Sequence, residues 1–335
     1  MRKILNTPET FVDDTMEGII RAYGDRVQFL NGDQRVLISA YPKKEGKVGI
    51  VTAGGSGHLP LFLGYVGQGM LDGCAIGNVF ASPSAQRMAN MIKACDSGNG
   101  VLCLYGNYGG DIMNFELAQE MLEMDDIRTT TALGRDDVAS SPKGQEEKRR
   151  GVAGIVYAYK IAGAAADQMK DLDEVTRLAQ KALDNTRTMG VALSPCIVPE
   201  VGKPTFSIAD DEIEIGMGIH GEPGIEIAKM MKADDIATMM VEKITADMPL
   251  ARGDEVSILI NGLGGTPLEE LLIVFGKIHG ILEEKGVSVT MPHIGEYATS
   301  MEMAGMSASI MKLDGELKAL LRAPAQTPFY TNSNK

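Results

Sequence analysis

Three short apolar runs stop at a cluster of glycines. Lys47-Val48-Gly49-Ile50-Val51-Thr52 leads into Ala53-Gly54-Gly55-Ser56-Gly57-His58. Val101-Leu102-Cys103-Leu104-Tyr105 leads into Gly106-Asn107-Tyr108-Gly109-Gly110-Asp111. Val256-Ser257-Ile258-Leu259-Ile260 leads into Asn261-Gly262-Leu263-Gly264-Gly265-Thr266-Pro267. Strands this short and this apolar are buried on both faces, and when they alternate with helices they build α/β folds. A helix is expected from Met113 to Glu123 after the second cluster. Thr266 suits the cap of a helix after the third, with Pro267 at its first position.

Residues 151–169 read as a long helix of small side chains, which pack closely and suit a central position. Residues 173–188 read as another, with Val175, Leu178, Ala179, Ala182 and Leu183 at helical spacing. The stretch from Gly190 to Pro204 holds three prolines and two glycines, the sharpest shift in composition. The length of 335 residues suits two units. The expected fold class is therefore α/β: two α/β domains, 1–188 and 189–335, with mixed, partly parallel sheets and Gly-rich strand-to-helix loops. The tail from Ala323 to Lys335 is expected to be loosely ordered.

Composition removes several classes. Glycine contributes 39 of 335 residues, about 12% against a usual ~7%, but without the three-residue period of collagen. No apolar run approaches the ~20 residues of a membrane span. The basic pair Arg2-Lys3 is not followed by the apolar core of a secretory leader, so a cytoplasmic protein is expected. A net charge of −13 disfavours nucleic acid as a partner. Cys74, Cys95, Cys103 and Cys196 are too scattered for a zinc site or a dithiol pair and are expected to be reduced and mostly buried.

Only four histidines are available for imidazole chemistry: His58, His220, His279 and His293. Gly-rich turns after strands often cradle phosphates, yet no Gly-Lys-Ser/Thr occurs, and the dinucleotide fingerprint fits none of the three turns. The 54–58 segment is either a tight turn with an incidental His or a ligand loop. Asp111 stands where carboxylates commonly cap helices. Ligands of open α/β sheets, however, sit beyond the carboxyl ends of strands, where His58 and Asp111 would face one pocket as an acid/base pair. His220 lies among four glycines between 216 and 224. It is either an exposed turn residue or a nucleophile toward a carbonyl carbon. His279, on a helix, and His293, after a strand, have nothing nearby to support a role.

Taken together, these segments resemble the K subunit of dihydroxyacetone kinase over nearly the whole chain. The resemblance rests on Gly-Gly-Ser-Gly-His at 54–58, Gly-Tyr-Val-Gly at 64–67, Asn-Tyr at 107–108 and Gly-Asp-Ile-Met-Asn-Phe-Glu at 110–116. It continues with Gly-Val-Ala-Gly at 151–154, Lys-Ile-Ala-Gly-Ala-Ala-Ala at 160–166 and Arg-Thr-Met-Gly-Val-Ala-Leu-Ser-Pro-Cys at 187–196. Gly-Met-Gly-Ile-His-Gly-Glu-Pro-Gly at 216–224 and Asn-Gly-Leu-Gly-Gly-Thr-Pro at 261–267 complete it.

The resemblance implies a two-domain α/β homodimer that binds a short ketose. It implies that His220 adds through a ring nitrogen to the ketone carbon, giving a covalent hemiaminal. It further implies that His58 and Asp111 act as acid/base residues, and that Gly55, Ser56 and Gly57 contact the substrate. ATP-dependent members carry a helical nucleotide domain after the K region, and this sequence ends at Lys335 without one. The implied arrangement is the split system. A separate L subunit holds ADP and magnesium, a phosphotransferase-system protein rephosphorylates that nucleotide, and this chain holds neither cofactor nor metal.

Three positions depart from the family pattern. Leu59 and Phe62 replace a Glu and a His, and Gly106 stands where a substrate-binding Lys is common. These departures point toward another short ketose, such as the four-carbon erythrulose, or toward a ketose-sensing transcriptional co-activator of the same fold. A stand-alone ATP kinase is a third, weaker reading.

Overall fold

The computed structural model describes residues 2–333. Helix α1 (Phe11–Tyr23) precedes the first sheet, whose strands are β1 (Val27–Leu30), β2 (Asp33–Ser39), β3 (Gly49–Ser56), β4 (Gly73–Val79), β5 (Val101–Gly106) and β6 (Thr129–Gly134). Its order is β1-β2-β4-β3-β5-β6. The inner strands β4, β3, β5 and β6 run parallel, and β1 and β2 close one edge antiparallel. Helices α2 (Ala85–Cys95) and α3 (Gly109–Met121) cover one face. Met88, Ile92 and Phe115 pack there on Val51, Cys103 and Tyr105.

Alternate residues of the same strands, Ile50, Leu102 and Leu104, face a second core. That core is built around α4 (Ile155–Asp167) and α5 (Leu172–Asp184). The second sheet packs against its far side through Leu259, Met311 and Leu313. Its strands are β7 (Thr186–Ala192), β8 (Glu212–Ile215), β9 (Glu226–Lys229), β10 (Glu255–Gly262), β11 (Ser288–Val289), β12 (His293–Gly295) and β13 (Gly305–Leu313). The β10-β13-β7-β8-β9 run is antiparallel, while β11 and β12 lie parallel to β10. Helices α6 (Ala233–Asp247) and α7 (Leu268–Glu284) cover the outer face, against Val256, Ile258 and Ile260. Helix α8 (Gly315–Arg322) packs on α4, and a hairpin of β14 (Ala325–Gln326) and β15 (Thr331–Asn332) ends the described chain.

The mixed, partly parallel α/β class is as the sequence implies. Helix α4 is central, with twelve of its thirteen residues buried between the two sheets. Several boundaries differ. Residues 151–154 form the turn before α4, because Gly151 is pressed between Gly106 and Gly134. Helix α5 stops at Asp184, and 186–188 start β7, so the expected break after 188 falls inside a strand. Pairing with β13 claims these residues for the sheet. Thr266 does not cap α7: its hydroxyl donates to the Gly305 carbonyl, and Pro267 takes the cap position. The tail is anchored through Asn332, because the Thr327 hydroxyl donates to the Gly64 carbonyl, Tyr330 is buried and Asn332 donates to the Leu321 and Ala323 carbonyls; the last two residues lie outside the described ones. All four cysteines are free and buried. Among the described residues, no helix is long and apolar enough to cross a membrane.

Candidate functional site

The 54–58 segment is not the tight turn its composition suggests. Gly54, Gly55 and Ser56 continue β3 to its last residue, and no α-helix follows; a 3₁₀ turn at Leu63–Tyr65 leads to β4. Side-chain-free backbone lets the strand run between two aromatic residues. Phe62 lies against Gly54 on one face, and the Phe80–Ala81 backbone lies against Gly55 on the other. The Ser56 hydroxyl donates to the Gly77 carbonyl at 2.9 Å, and Gly57 takes φ +97° beside the Phe80 ring. Leu59 and Phe62 line, together with His58 and Gly55–Gly57, a cavity of about 280 Å³ against α1, and the Phe62 ring stands edge-on to His58 with centroids 5.9 Å apart.

The second half of the chain holds this strand end in place. The Met301 N–H donates to the Gly57 carbonyl at 2.9 Å, the Thr299 N–H to the His58 carbonyl at 3.2 Å, and the Thr299 hydroxyl to the Leu59 carbonyl at 2.8 Å. His58 is thereby buried. Its Nδ1 lies 2.8 Å from the Thr299 carbonyl oxygen, which can only accept, so Nδ1 carries the proton and Nε2 keeps a lone pair. Nε2 is buried and has no partner. Burial, with some repulsion from His220, pushes the pKa of His58 down to about 3, so the ring is neutral.

Asp111 is not a helix cap. Tyr108 takes the cap position of α3, and Asp111 sits in the first turn. Its Oδ1 is buried and unpartnered. Burial raises its pKa to about 6, against the lowering pull of the Ser82 hydroxyl and of His220.

His220 is half-buried in a ring of aromatic side chains. Its centroid is 4.7 Å from that of His58, 4.8 Å from Tyr108 and 5.4 Å from Phe80, all edge to face. Phe80 also stacks on His58 at 4.8 Å. The Tyr108 hydroxyl is a third buried polar atom without a partner. Gly106 lies beneath this ring: a Cβ there would stand 3.1 Å from Tyr108 carbons. The Nδ1 of His220 is 2.7 Å from Glu222 Oε1, which leaves Nε2 as its free nitrogen.

The structure therefore gathers His58, Asp111 and His220 at the carboxyl ends of β3 and β5, with Gly55, Ser56, Gly57 and Gly106 beside them. His279 is half-buried on α7, and His293 stacks on Tyr330 with its Nε2 3.1 Å from the hydroxyl, away from the site. Sequence reasoning missed Phe80, Tyr108, Glu222 and Thr299 as site residues. Glu222, two positions after a glycine-flanked His, carried a local signal; Thr299 carried none. Among the described residues, no group of three or more metal-ligating side chains comes together.

The chain is similar to known proteins over nearly its whole length. A family model described as the Dak1 domain matches residues 17–329. The dihydroxyacetone-binding subunit of PTS-dependent dihydroxyacetone kinase 2 from Listeria innocua is 44% identical, covering 98% of this chain and 99% of its own. A D-erythrulose kinase from Mycolicibacterium smegmatis is 41% identical over 98% of this chain, which spans 56% of that enzyme. A solved structure of a dihydroxyacetone kinase operon co-activator superposes with a TM-score of 0.88 at 31% identity, covering 95% of this chain and 98% of its own.

Proposed function

The chain belongs to the Dak1 domain family, and from that premise we propose that it is the dihydroxyacetone-binding subunit of a phosphotransferase-system-dependent kinase. It acts as a cytoplasmic homodimer and holds the ketose as a hemiaminal on His220. A separate L subunit, carrying ADP and magnesium, donates the phosphoryl group. The near-complete mutual coverage with the Listeria innocua subunit supports the split arrangement.

The observation that carries the reading is the set of unpartnered polar atoms around one nucleophile. Native proteins rarely leave buried polar atoms without a partner. Here His58 Nε2 and Asp111 Oδ1 are both orphaned beside a His220 whose Nε2 is free. A three-carbon ketose has a carbonyl carbon for that nitrogen and two hydroxyls for the orphans. In hemiaminal formation the Nε2 lone pair forms a bond to carbon, and the carbonyl π pair moves onto oxygen, which takes a proton. Asp111, protonated in part at neutral pH, suits that donation. Neutral His58 offers only a lone pair and suits accepting the proton of the terminal hydroxyl during transfer. Covalent capture fixes that hydroxyl for attack on an incoming phosphoryl group.

The test mixes this chain with its L subunit, the phosphoryl donor and dihydroxyacetone, and follows triose phosphate together with intact mass. Product and a sugar-sized mass increment support the reading. An adduct without product sinks it and favours the second reading, a ketose-sensing co-activator. That alternative is supported by the likeness to the co-activator structure and by the missing side chain at Gly106. Erythrulose in place of dihydroxyacetone tests the four-carbon alternative.

A further inference from the structure

We infer that Glu222 is the positioning residue that makes Nε2 of His220 the nucleophile, and that Arg150, itself anchored by Asp137, holds Glu222 in place. The inference rests on the ketose-binding reading for its chemical meaning, though not for its geometry.

The two oxygens of the Glu222 carboxylate grip one residue from both sides. Oε1 accepts from the ring Nδ1–H of His220 at 2.7 Å, and Oε2 accepts from its backbone N–H at 3.0 Å. A ring so held cannot rotate freely, and Nε2 is the nitrogen left free, on a ring whose centroid is 4.7 Å from that of His58. The hydrogen bond from His220 holds Glu222 ionised, with its pKa down to about 2 despite burial.

Arg150 stands behind the carboxylate, with Nη1 4.0 Å from Glu222 Oε2. The guanidinium is oriented by other partners. Nη2 lies 2.7 Å from Asp137 Oδ2 and donates to the Gly216 carbonyl at 2.9 Å, and Nε donates to Asp137 at 2.9 Å. Asp137 and Arg150 come from the first half of the chain, Glu222 and His220 from the second. Gly218 makes the approach possible: a Cβ there would collide with both the Glu222 carboxylate and the Arg150 guanidinium.

The chemistry needs this arrangement. As Nε2 bonds to the ketone carbon, the ring becomes positive, and Glu222 lies opposite that charge. Loss of the Nδ1 proton then restores a neutral ring. One proton has in net passed from the ring to the ketone oxygen, and no oxidant or other reactant is required. The arrangement parallels the aspartate of serine proteases, a third residue that sets the tautomer of the catalytic histidine.

The tautomer can be read directly. With ¹⁵N-labelled histidine, the four rings are resolved in a long-range ¹H–¹⁵N spectrum, without ligand. His220 is expected as the Nδ1–H form in the wild type. In Glu222→Ala, the Nε2–H form should gain, and the dihydroxyacetone adduct should fall by at least about tenfold. Arg150→Met should move the tautomer the same way by a smaller amount. Glu222→Gln keeps the side-chain volume and carries the test if the alanine variant does not fold. A folded Glu222 variant, with His58 and His293 signals unmoved, in which His220 stays Nδ1–H overturns the inference. A wild-type protein with the expected tautomer that forms no adduct with any short ketose instead sinks the ketose reading and leaves the positioning role standing.

Discussion

The ring of His58 hangs on the backbone carbonyl of Thr299, 2.8 Å away and 241 residues later in the sequence. The bond sets which nitrogen of His58 is free, and burial keeps the ring neutral. The imidazole should therefore show no titration between pH 8 and pH 5 by NMR. Phe80→Ala removes the stacked ring and admits water, so the pKa of His58 should climb from about 3 toward the ordinary value near ~6.5. An unchanged titration in that variant would show that the stack is not what dries the ring.

His220→Ala should abolish the adduct altogether. The side chain is only half-buried, so the fold should survive with little loss of stability. Intact mass after incubation with dihydroxyacetone is the check, and a remaining sugar-sized increment would place the covalent link elsewhere.

Asp111→Asn removes the proton donor to the ketone oxygen, so it should slow adduct formation and, with it, transfer, read as intact mass and as triose phosphate with the L subunit present. It should also change the stability profile. Below about pH 4 this carboxyl is protonated in both the folded and the unfolded chain. Between about 4 and 6 the unfolded chain releases the proton while the fold retains it, so stability falls as pH rises. Above that window, asparagine should stabilise the fold by up to about 3 kcal/mol, and the gain should vanish at pH 4. Denaturant unfolding at pH 8 and pH 4 measures both ends.

Gly106→Ala places a methyl group 3.1 Å from the Tyr108 ring and must displace it by a few tenths of an ångström. The ring walls His220, so the ketose concentration for half-maximal adduct should rise severalfold while overall stability changes by about 1 kcal/mol or less. No change in that concentration would mean that Tyr108 does not shape the site.

Much of this is legible in the sequence because apolar runs and glycine clusters act locally. Three such runs become three buried strands, and their ends carry His58 and Asp111. What is lost depends on distance or on shape. Thr299 reaches His58 only because two sheets meet. Phe80 carries no signal because its role comes from a loop folded back over Gly55. The helical spacing of 173–188 runs past Asp184, where pairing with β13 outweighs local preference. The 54–58 glycines read as a turn because composition cannot distinguish a bend from a strand squeezed between two aromatic residues. Glu222 could be inferred from its place two residues after His220, since the glycines at 218 and 221 leave the carboxylate little to meet except that ring.

Helix α4 lies behind the candidate site rather than in it, yet it acts as a shim. The two sheets whose ends lie near His58 and His220 are held apart by α4, buried between them, so its thickness sets the spacing of those sheets. Gly163 has no room for even a methyl group against the Met70 backbone. Bulk added within α4 would widen the gap as a thicker gasket widens a joint. The spacing of the two sheets is thus gauged from the middle of the molecule, where Tyr159 meets Thr52 of β3 at 3.0 Å and Tyr157 meets Ser257 of β10 at 2.9 Å.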